Sequence, residues 1–130
     1  MADPTVALHK ALLASLKSAC SCDVWDGVPQ DINSYPYVVI DYMYSDNMDF
    51  LSTSERMDER YVYLSIWSRT HGQAQVMSII SEIEAINEQP LTLETGSCVS
   101  VRVDRKRTYR EPDALTFRGQ VVLRIFTTHF

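Results

Sequence analysis

The sequence predicts an α+β fold, with an antiparallel or mixed sheet of four to five strands and two helices packed on one face. Two stretches of helical periodicity alternate with two pairs of strand-like segments along the 130 residues. Strand pairs that are close in sequence favour antiparallel pairing, and the intervening helices then pack on a common face of the sheet. A chain of this length buries an ordinary core, so residues 1–130 are expected to form a single domain.

The first helix is predicted to begin at Thr5, a residue type that caps helix N-termini. Its apolar stripe follows the spacing i, i+4, i+8 and consists of Leu8, Leu12 and Leu16. Because this stripe covers only one side of the helix, the helix is expected to lie against the sheet.

The stretch "VWDGVPQ" follows this helix and is interpreted as architecture. Val24 and Trp25 predict a short extended piece before the turn residues Asp26 and Gly27, and Trp25 is expected to pack against the next strand as an anchor. Proline restricts its own backbone and biases the preceding residue toward extended geometry, so Pro29 and Pro36 deliver the chain stiffly into that strand. The stretch contains no pair of side chains suited to act as nucleophile and base.

Four longer segments predict the remaining strands, at residues 37–44, 60–68, 99–104 and 117–126. On the first of these segments one face is expected to carry Val38, Ile40 and Tyr42. On the second, the predicted core face is Val62, Leu64 and Ile66, with Tyr61, Tyr63 and Trp67 opposite. On the last segment, the predicted core face consists of Phe117, Val121, Leu123 and Ile125. The opposite face carries Arg118, Gln120 and Arg124. The polar stretches 45–59 and 105–115 are expected to be long loops.

The second helix is predicted between the two strand pairs. His71 and Gly72 are expected to begin it, and its apolar positions at 3.6-residue spacing are Val76, Ile79, Ile80, Ile83 and Ile86.

The charge and hydropathy of the chain exclude several classes of protein. The net charge of −5 disfavours general electrostatic binding to nucleic acid. No apolar run approaches the roughly 20 residues that a membrane-spanning helix needs. The start "MADPTVALHK" lacks the basic and apolar regions of a secretory signal. The composition therefore predicts a soluble, intracellular protein.

The search for catalytic or metal-binding residues predicts no enzyme, metal or cofactor. The three cysteines, Cys20, Cys22 and Cys98, have no histidine at a zinc-ligand spacing and are interpreted as buried or half-buried thiols. The stretch "SDNMD" lacks the glycine and the closing glutamate of a calcium loop. Asp41 and Glu59 could approach across a hairpin as an acid/base pair, but such pairs of strand carboxylates are far more often structural.

Two stretches of opposite charge are the strongest functional signal. Residues 46–59 carry five acids against one base, and residues 105–110 carry four bases and no acid. One interpretation is two solvated faces; the other is that the acidic arm of one subunit meets the basic arm of the next, a heterologous contact that can close into a ring. The candidate interface residues are Asp46, Asp49, Phe50, Glu55, Arg105, Lys106, Arg107 and Arg110.

Three stretches together give the chain a family resemblance. "VWDGVPQ" before "YPYVVI", "IWSR" before the second helix, and "REPDALTFRG" before the last strand resemble, in the same order, the tail completion or tail terminator family of long-tailed bacteriophages and gene transfer agents. The resemblance implies a non-catalytic homo-oligomer, typically a hexameric ring, at the head-proximal end of the tail tube. It also implies that the ring stops tube polymerisation and joins the tail to the head.

The resemblance further implies the partners and location of the protein. The partners would be the tail tube protein and a neck or head-closure protein, with no membrane, and DNA would pass through the lumen without specific binding. The protein would be assembled in the host bacterial cytoplasm and would reside in the tail of a virion or phage-like particle. Two alternatives stay open: another neck component, such as a head-closure or adaptor protein, and a small ligand-binding domain or enzyme. The second would have a pocket between sheet and helices lined by Tyr61, Tyr63 and Trp67.

Overall fold

The structure, a computed structural model, describes residues 4–26, 35–48, 56–69, 73–87, 89, 91–112 and 115–129. Within these ranges the helices are α1 (Thr5–Ala19) and α2 (Ala74–Ile83), and a 3₁₀ turn, Glu84–Ile86, continues α2. The strands are β1 (Asp23–Trp25), β2 (Tyr37–Met48), β3 (Arg56–Ser68), β4 (Ser97–Arg110) and β5 (Phe117–His129). No helix in the described part of the chain is long and apolar enough to cross a membrane.

The strands form one mixed sheet in the order β1-β2-β3-β5-β4. β1 is parallel to β2, and the other neighbouring strands are antiparallel. The central strands β3 and β5 pair along their whole length, from Arg56 opposite His129 to Ser68 opposite Phe117. The α+β class with a mixed five-stranded sheet is therefore confirmed, and β4 forms one long edge of the sheet.

Both helices pack on one face of the sheet and enclose a single core. The predicted helix stripes are buried, as are the predicted core faces of β3 and β5. The members of this core include Leu8, Leu12, Leu16, Val76, Ile79, Ile80, Ile83, Val38, Ile40, Val62, Leu64, Ile66, Val101, Val121, Leu123 and Ile125. Burial of these aliphatic side chains is the main stabilising contribution to the fold.

A buried arginine ties the start of α1 to the centre of the sheet. Arg60 in β3 is 1% exposed. Its guanidinium donates to the hydroxyl of Thr127 at 2.9 Å, to that of Thr5 at 2.8 Å and to the carboxylate of Asp58 at 3.1 Å. The prediction that Thr5 caps α1 is wrong: the N-cap residue is Pro4, with no side-chain cap, and the Thr5 hydroxyl accepts from Arg60 instead.

Several strands are longer than predicted, because their polar ends were interpreted as loops. β2 continues to Met48, β3 already begins at Arg56, and β4 extends to Arg110. Much of the acidic arm and all of the basic arm therefore lie in strands, where one face and an edge meet solvent and need no apolar residues. The predicted start of the second helix at His71 and Gly72 lies outside the described residues.

The short extended piece at Val24 and Trp25 is confirmed as β1, but the residue that anchors it in the core is Val24 and not Trp25. Val24 is buried among the core side chains, whereas Trp25 is 38% exposed. Successive side chains of a strand point to opposite faces, so only one of the two can face the helices. The prediction that Trp25 is the packed anchor is wrong.

Gly119 in β5 allows α2 to approach the sheet closely. A Cβ atom at this position would lie 2.6 Å from Cγ1 of Val76 in α2.

We expect Gly119→Ala to destabilise the protein by about 1–3 kcal/mol, because the methyl group must displace the helix. Urea denaturation of the variant measures this loss. The double variant Gly119→Ala/Val76→Ala should lose less than the sum of the two single variants, and simple additivity would contradict the proposed contact.

Candidate interface on the open face of the sheet

The sheet face opposite the helices, here called the open face, acquires its tyrosines through a bulge in β2. Ile40 is opposite Leu64 and Tyr42 is opposite Tyr63, so Asp41 is one extra residue in the strand. The extra residue reverses the alternation, and Tyr42 reaches the open face, where its ring stacks on that of Tyr63 at 4.4 Å. The prediction that Tyr42 shares a face with Val38 and Ile40 is wrong for this reason.

A second pair of tyrosines continues this surface. Tyr44 stacks on Tyr61 with the ring centroids 5.1 Å apart. Tyr42 and Tyr44 are 56% and 45% exposed, so β2 presents two large aromatic rings to solvent near the edge of the sheet. Tyrosines of this kind supply contact area at interfaces at low cost in conformational entropy.

A bulge in β4 divides the predicted basic arm between the two faces. Val103 is opposite Leu123 and Arg105 is opposite Val122, so Asp104 is the extra residue. After it, Arg105, Arg107 and Tyr109 lie opposite Val122, Gln120 and Arg118, which belong to the open face. Lys106 and Arg110 lie on the helix face: Lys106 pairs with Glu84 at 2.8 Å, and Arg110 lies over the ring of Phe117 at 5.6 Å.

Two further arginines occupy the middle of the open face. Arg118 lies over the rings of Trp67 and Tyr109, at 5.2 and 5.5 Å from their centroids, and donates to the hydroxyl of Ser65 at 3.0 Å. Arg124 lies over the ring of Phe126 at 4.9 Å. Arginine and aromatic side chains are the residue types enriched at protein interfaces.

The carboxylate of Glu59 is held in its ionised form on this face. The Tyr61 hydroxyl donates to it, and Arg124 donates to its other oxygen at 3.1 Å. The hydrogen bond from Tyr61, followed by that from Arg124, lowers the pKa of Glu59, and the same contact with Glu59 raises the pKa of Tyr61. This network fixes a negative and a positive charge on the open face across the two central strands, β3 and β5.

The described residues do not form the predicted alternative sites. Tyr61, Tyr63 and Trp67 all lie on the open face, not between sheet and helices, and they line two separate shallow depressions of ≈ 240 and ≈ 330 Å³. Asp41 accepts from Ser65, whereas Glu59 lies opposite Asp46, so the two carboxylates are not a pair. The described residues therefore form neither the pocket of the alternative function nor an acid/base pair, which agrees with the interpretation of these two carboxylates as structural.

The cysteines are free thiols, as predicted. Cys20 is buried, and Cys22 and Cys98 are half-buried. Hydrogen bonding with Cys22, together with burial, raises the pKa of the Cys20 thiol. The described residues contain no group of three or more histidine, cysteine, aspartate or glutamate side chains that could hold a metal ion.

A family model for tail completion protein gp17 matches residues 6–128 of the chain. The chain belongs to the tail completion family. Members of this family are structural components of phage tails and not enzymes. Among curated proteins, no sequence matches the chain. The resemblance that the sequence carried is confirmed.

Two solved structures are similar to this member of the tail completion family. One is a chain in the virion of a native gene transfer agent particle, with a TM-score of 0.84, 18% identity and coverage of 98% of this chain and 99% of that chain. The other is the gp17 protein of bacteriophage SPP1, with a TM-score of 0.51, 23% identity and coverage of 92% and 87%. At these identities the likeness establishes the fold.

The predicted interface residues of this family member are separated by the structure. Asp46, Arg105 and Arg107 are exposed and lie on the open face, at its two sides. Lys106 and Arg110 lie on the other face, and Asp49, Phe50 and Glu55 lie outside the described residues. Sequence reasoning missed Tyr42, Tyr44, Arg118 and Arg124 as site residues. The alternation of arginine with apolar residues along β5 was the available signal for the last two.

We expect Glu59→Gln to make the unfolding free energy less dependent on acid pH. A carboxyl whose pKa is lowered by folding stabilises the native state above its unfolded pKa, near 4.5, and this contribution is lost as pH falls through the lower folded value. Denaturant titrations between pH 7 and pH 3 measure it, with Glu94→Gln as the control for loss of a carboxylate elsewhere. A Glu59→Gln profile parallel to the wild type would contradict this role.

Proposed function

We propose that this protein forms a ring at the head-proximal end of a tail tube, where it stops tube polymerisation and joins the tail to the head. The observation that carries the proposal is the open face: an aromatic and arginine-rich surface that neither helix covers, with opposite charges at its two sides. Membership of the tail completion family and the likeness to a chain of a gene transfer agent virion support the same role.

The arrangement of charge favours a head-to-tail contact between copies. Asp46 lies in β2, and Arg105 and Arg107 lie in β4, on the far side of β3 and β5. A contact between two different sides of the same subunit is heterologous, and it closes into a ring when the rotation per subunit allows it. Hexameric closure fits the family role. A contact that forms only on the tube end requires affinity for the assembled tube rather than a strong interface in solution.

The proposed partners follow from the position of such a ring. One rim would meet the tail tube protein and the other a neck or head-closure protein, with DNA passing through the lumen. A net charge of −5 per subunit suits a channel that must not retain DNA. Assembly would take place in the host bacterial cytoplasm, before the tail joins the filled head.

Electron microscopy of the purified protein, alone and mixed with tail tubes of the same particle, tests the proposal. We expect rings in solution or on one end of each tube, and tubes of fixed length when the protein is present during polymerisation. Mass measurement of the tube ends counts the copies. A single copy per tube, or binding at the opposite end from the head, would refute the proposal in favour of another neck component.

We expect Arg105→Glu/Arg107→Glu to abolish ring formation and leave the fold intact, because both side chains are exposed. Exposed ion pairs contribute at most about 1 kcal/mol each, so both residues are changed together. Lys10→Glu/Lys17→Glu, on the solvent side of α1, produces the same change in net charge and is the matched control. Rings that close normally in the first variant, or that resist high salt, would contradict the charge contact.

A further inference from the structure

The sheet has two free strand edges among the described residues, and each follows a bulge. β1 pairs with β2 only at residues 37–39, which leaves the outer edge of β2 open from residue 40 to residue 48. β4 is the opposite edge strand. Its middle is occupied, because the side-chain oxygen of Asn87 accepts from the backbone N–H of Val103 at 2.9 Å. Beyond the bulge at Asp104, residues 105–110 form an open edge.

The two open edges have the right relative direction to pair. β2 is antiparallel to β3, β3 to β5, and β5 to β4, so β4 runs antiparallel to β2. Copies related by rotation in a ring share one orientation along the ring axis. The β4 strand of one copy therefore meets the β2 strand of its neighbour as an antiparallel partner, and the main-chain groups of both edges become hydrogen-bonded.

One register places complementary side chains opposite each other along the open face. If Arg107 lies opposite Tyr44 of the neighbour, antiparallel counting places Arg105 opposite Asp46 and Tyr109 opposite Tyr42. The three cross-strand pairs are then an ion pair, an arginine on an aromatic ring and an aromatic pair, each of which stabilises neighbouring strands. A shift by two residues places Arg107 opposite Asp46 but leaves Tyr109 opposite Tyr44 and Arg105 without an acidic partner.

The stagger that this register needs agrees with the geometry of a closed sheet. Within one copy, Arg107 is level with Gln120, Ser65 and Val39 across the sheet. Tyr44 lies five residues beyond Val39 in the sequence, but Asp41 between them is the extra residue of the bulge, and their partners in β3, Tyr61 and Ser65, are four residues apart. The neighbour must therefore be displaced by roughly 13 Å along the strands. Four strands are about 19 Å wide, and strands tilted by about 35° to the axis of a closed barrel give a displacement of about 13 Å per copy.

We propose that residues 105–109 of β4 pair with residues 42–46 of β2 in a neighbouring copy, in the register that places Arg107 opposite Tyr44. The pairing joins the sheets of successive subunits into one continuous sheet. It rests on the proposed ring and specifies the contact from which the ring is built. The occupant of each open edge is thus a second copy of this chain.

Disulfide trapping tests this register. Arg105→Cys/Asp46→Cys places two cysteines on exposed positions that are directly opposite, where Cα atoms about 5 Å apart allow a disulfide. Arg107→Cys/Asp46→Cys is the matched control, because its cysteines are offset by two residues, about 7–8 Å apart. The single cysteine variants control for Cys20, Cys22 and Cys98. Mild oxidation of the assembled protein on tube ends, followed by denaturing electrophoresis, is the measurement.

We expect Arg105→Cys/Asp46→Cys to give a ladder of covalent oligomers up to the number of copies in the ring, with at least tenfold less product from the control. Rings that form without this ladder, or with more product from the offset pair, would overturn the register and leave the proposed function standing. Protein that does not assemble on tubes even without substitutions would overturn both. A charge swap, Arg105→Asp/Asp46→Arg, should restore rings that either single substitution weakens.

Discussion

Two extra residues, Asp41 in β2 and Asp104 in β4, determine which side chains the open face presents. A strand alternates strictly, so a shift of one residue sends every later side chain to the other face. Without the bulge at Asp41, Tyr42 and Tyr44 would point toward the helices and Met43 would be exposed. Without the bulge at Asp104, Arg105 and Arg107 would lie above the core. The aromatic and charged side chains of the outer parts of β2 and β4 lie on the open face, and not over the core, because both strands contain a bulge.

The bulge in β2 is held by contacts on the same face. The Ser65 hydroxyl donates to the Asp41 carboxylate, and the guanidinium of Arg118 lies 3.9 Å from it. Arg118 is itself placed by the rings of Trp67 and Tyr109. Arg118, at the start of β5, therefore links the bulged strand to β3 and β4. On the open face Arg118 lies beside Asp41 and Arg124 donates to Glu59. Asp46, Arg105 and Arg107 lie nearer the edges of the sheet, where another chain can reach them.

The sequence predicted the fold class and the faces of the central strands well. In β3 and β5 the side chains alternate between the two faces without a bulge, and each strand is paired on both sides. The bulges could not be predicted from the sequence, because no residue type is distinctive of an extra residue in a strand. In the sequence, Asp41 is one more polar residue between apolar ones. The outer halves of β2 and β4 were interpreted as loops for a related reason. Strands at an edge with one wet face bury little apolar area, so Asp46 and Arg107 provide no periodic signal of strand. Trp25 was misassigned because its size suggested burial, although the smaller Val24 occupies the helix-facing position.

Free strand edges are a hazard for a protein that must remain soluble until it is assembled, because they can pair with any exposed strand. Here the hazard is reduced by features that also define the proposed partner. Asn87 already accepts from one backbone N–H of β4. The four basic residues at positions 105–110 repel a second copy of the same edge. In the proposed register, Asp46 of β2 lies opposite Arg105, and Tyr44 and Tyr42 lie opposite Arg107 and Tyr109. A weak, charge-dependent pairing of this kind adds little stability per contact. In the proposed ring, the pairing would therefore depend on the tube end to hold several copies side by side, and the last copy to bind would close the ring by pairing with a neighbour on each side.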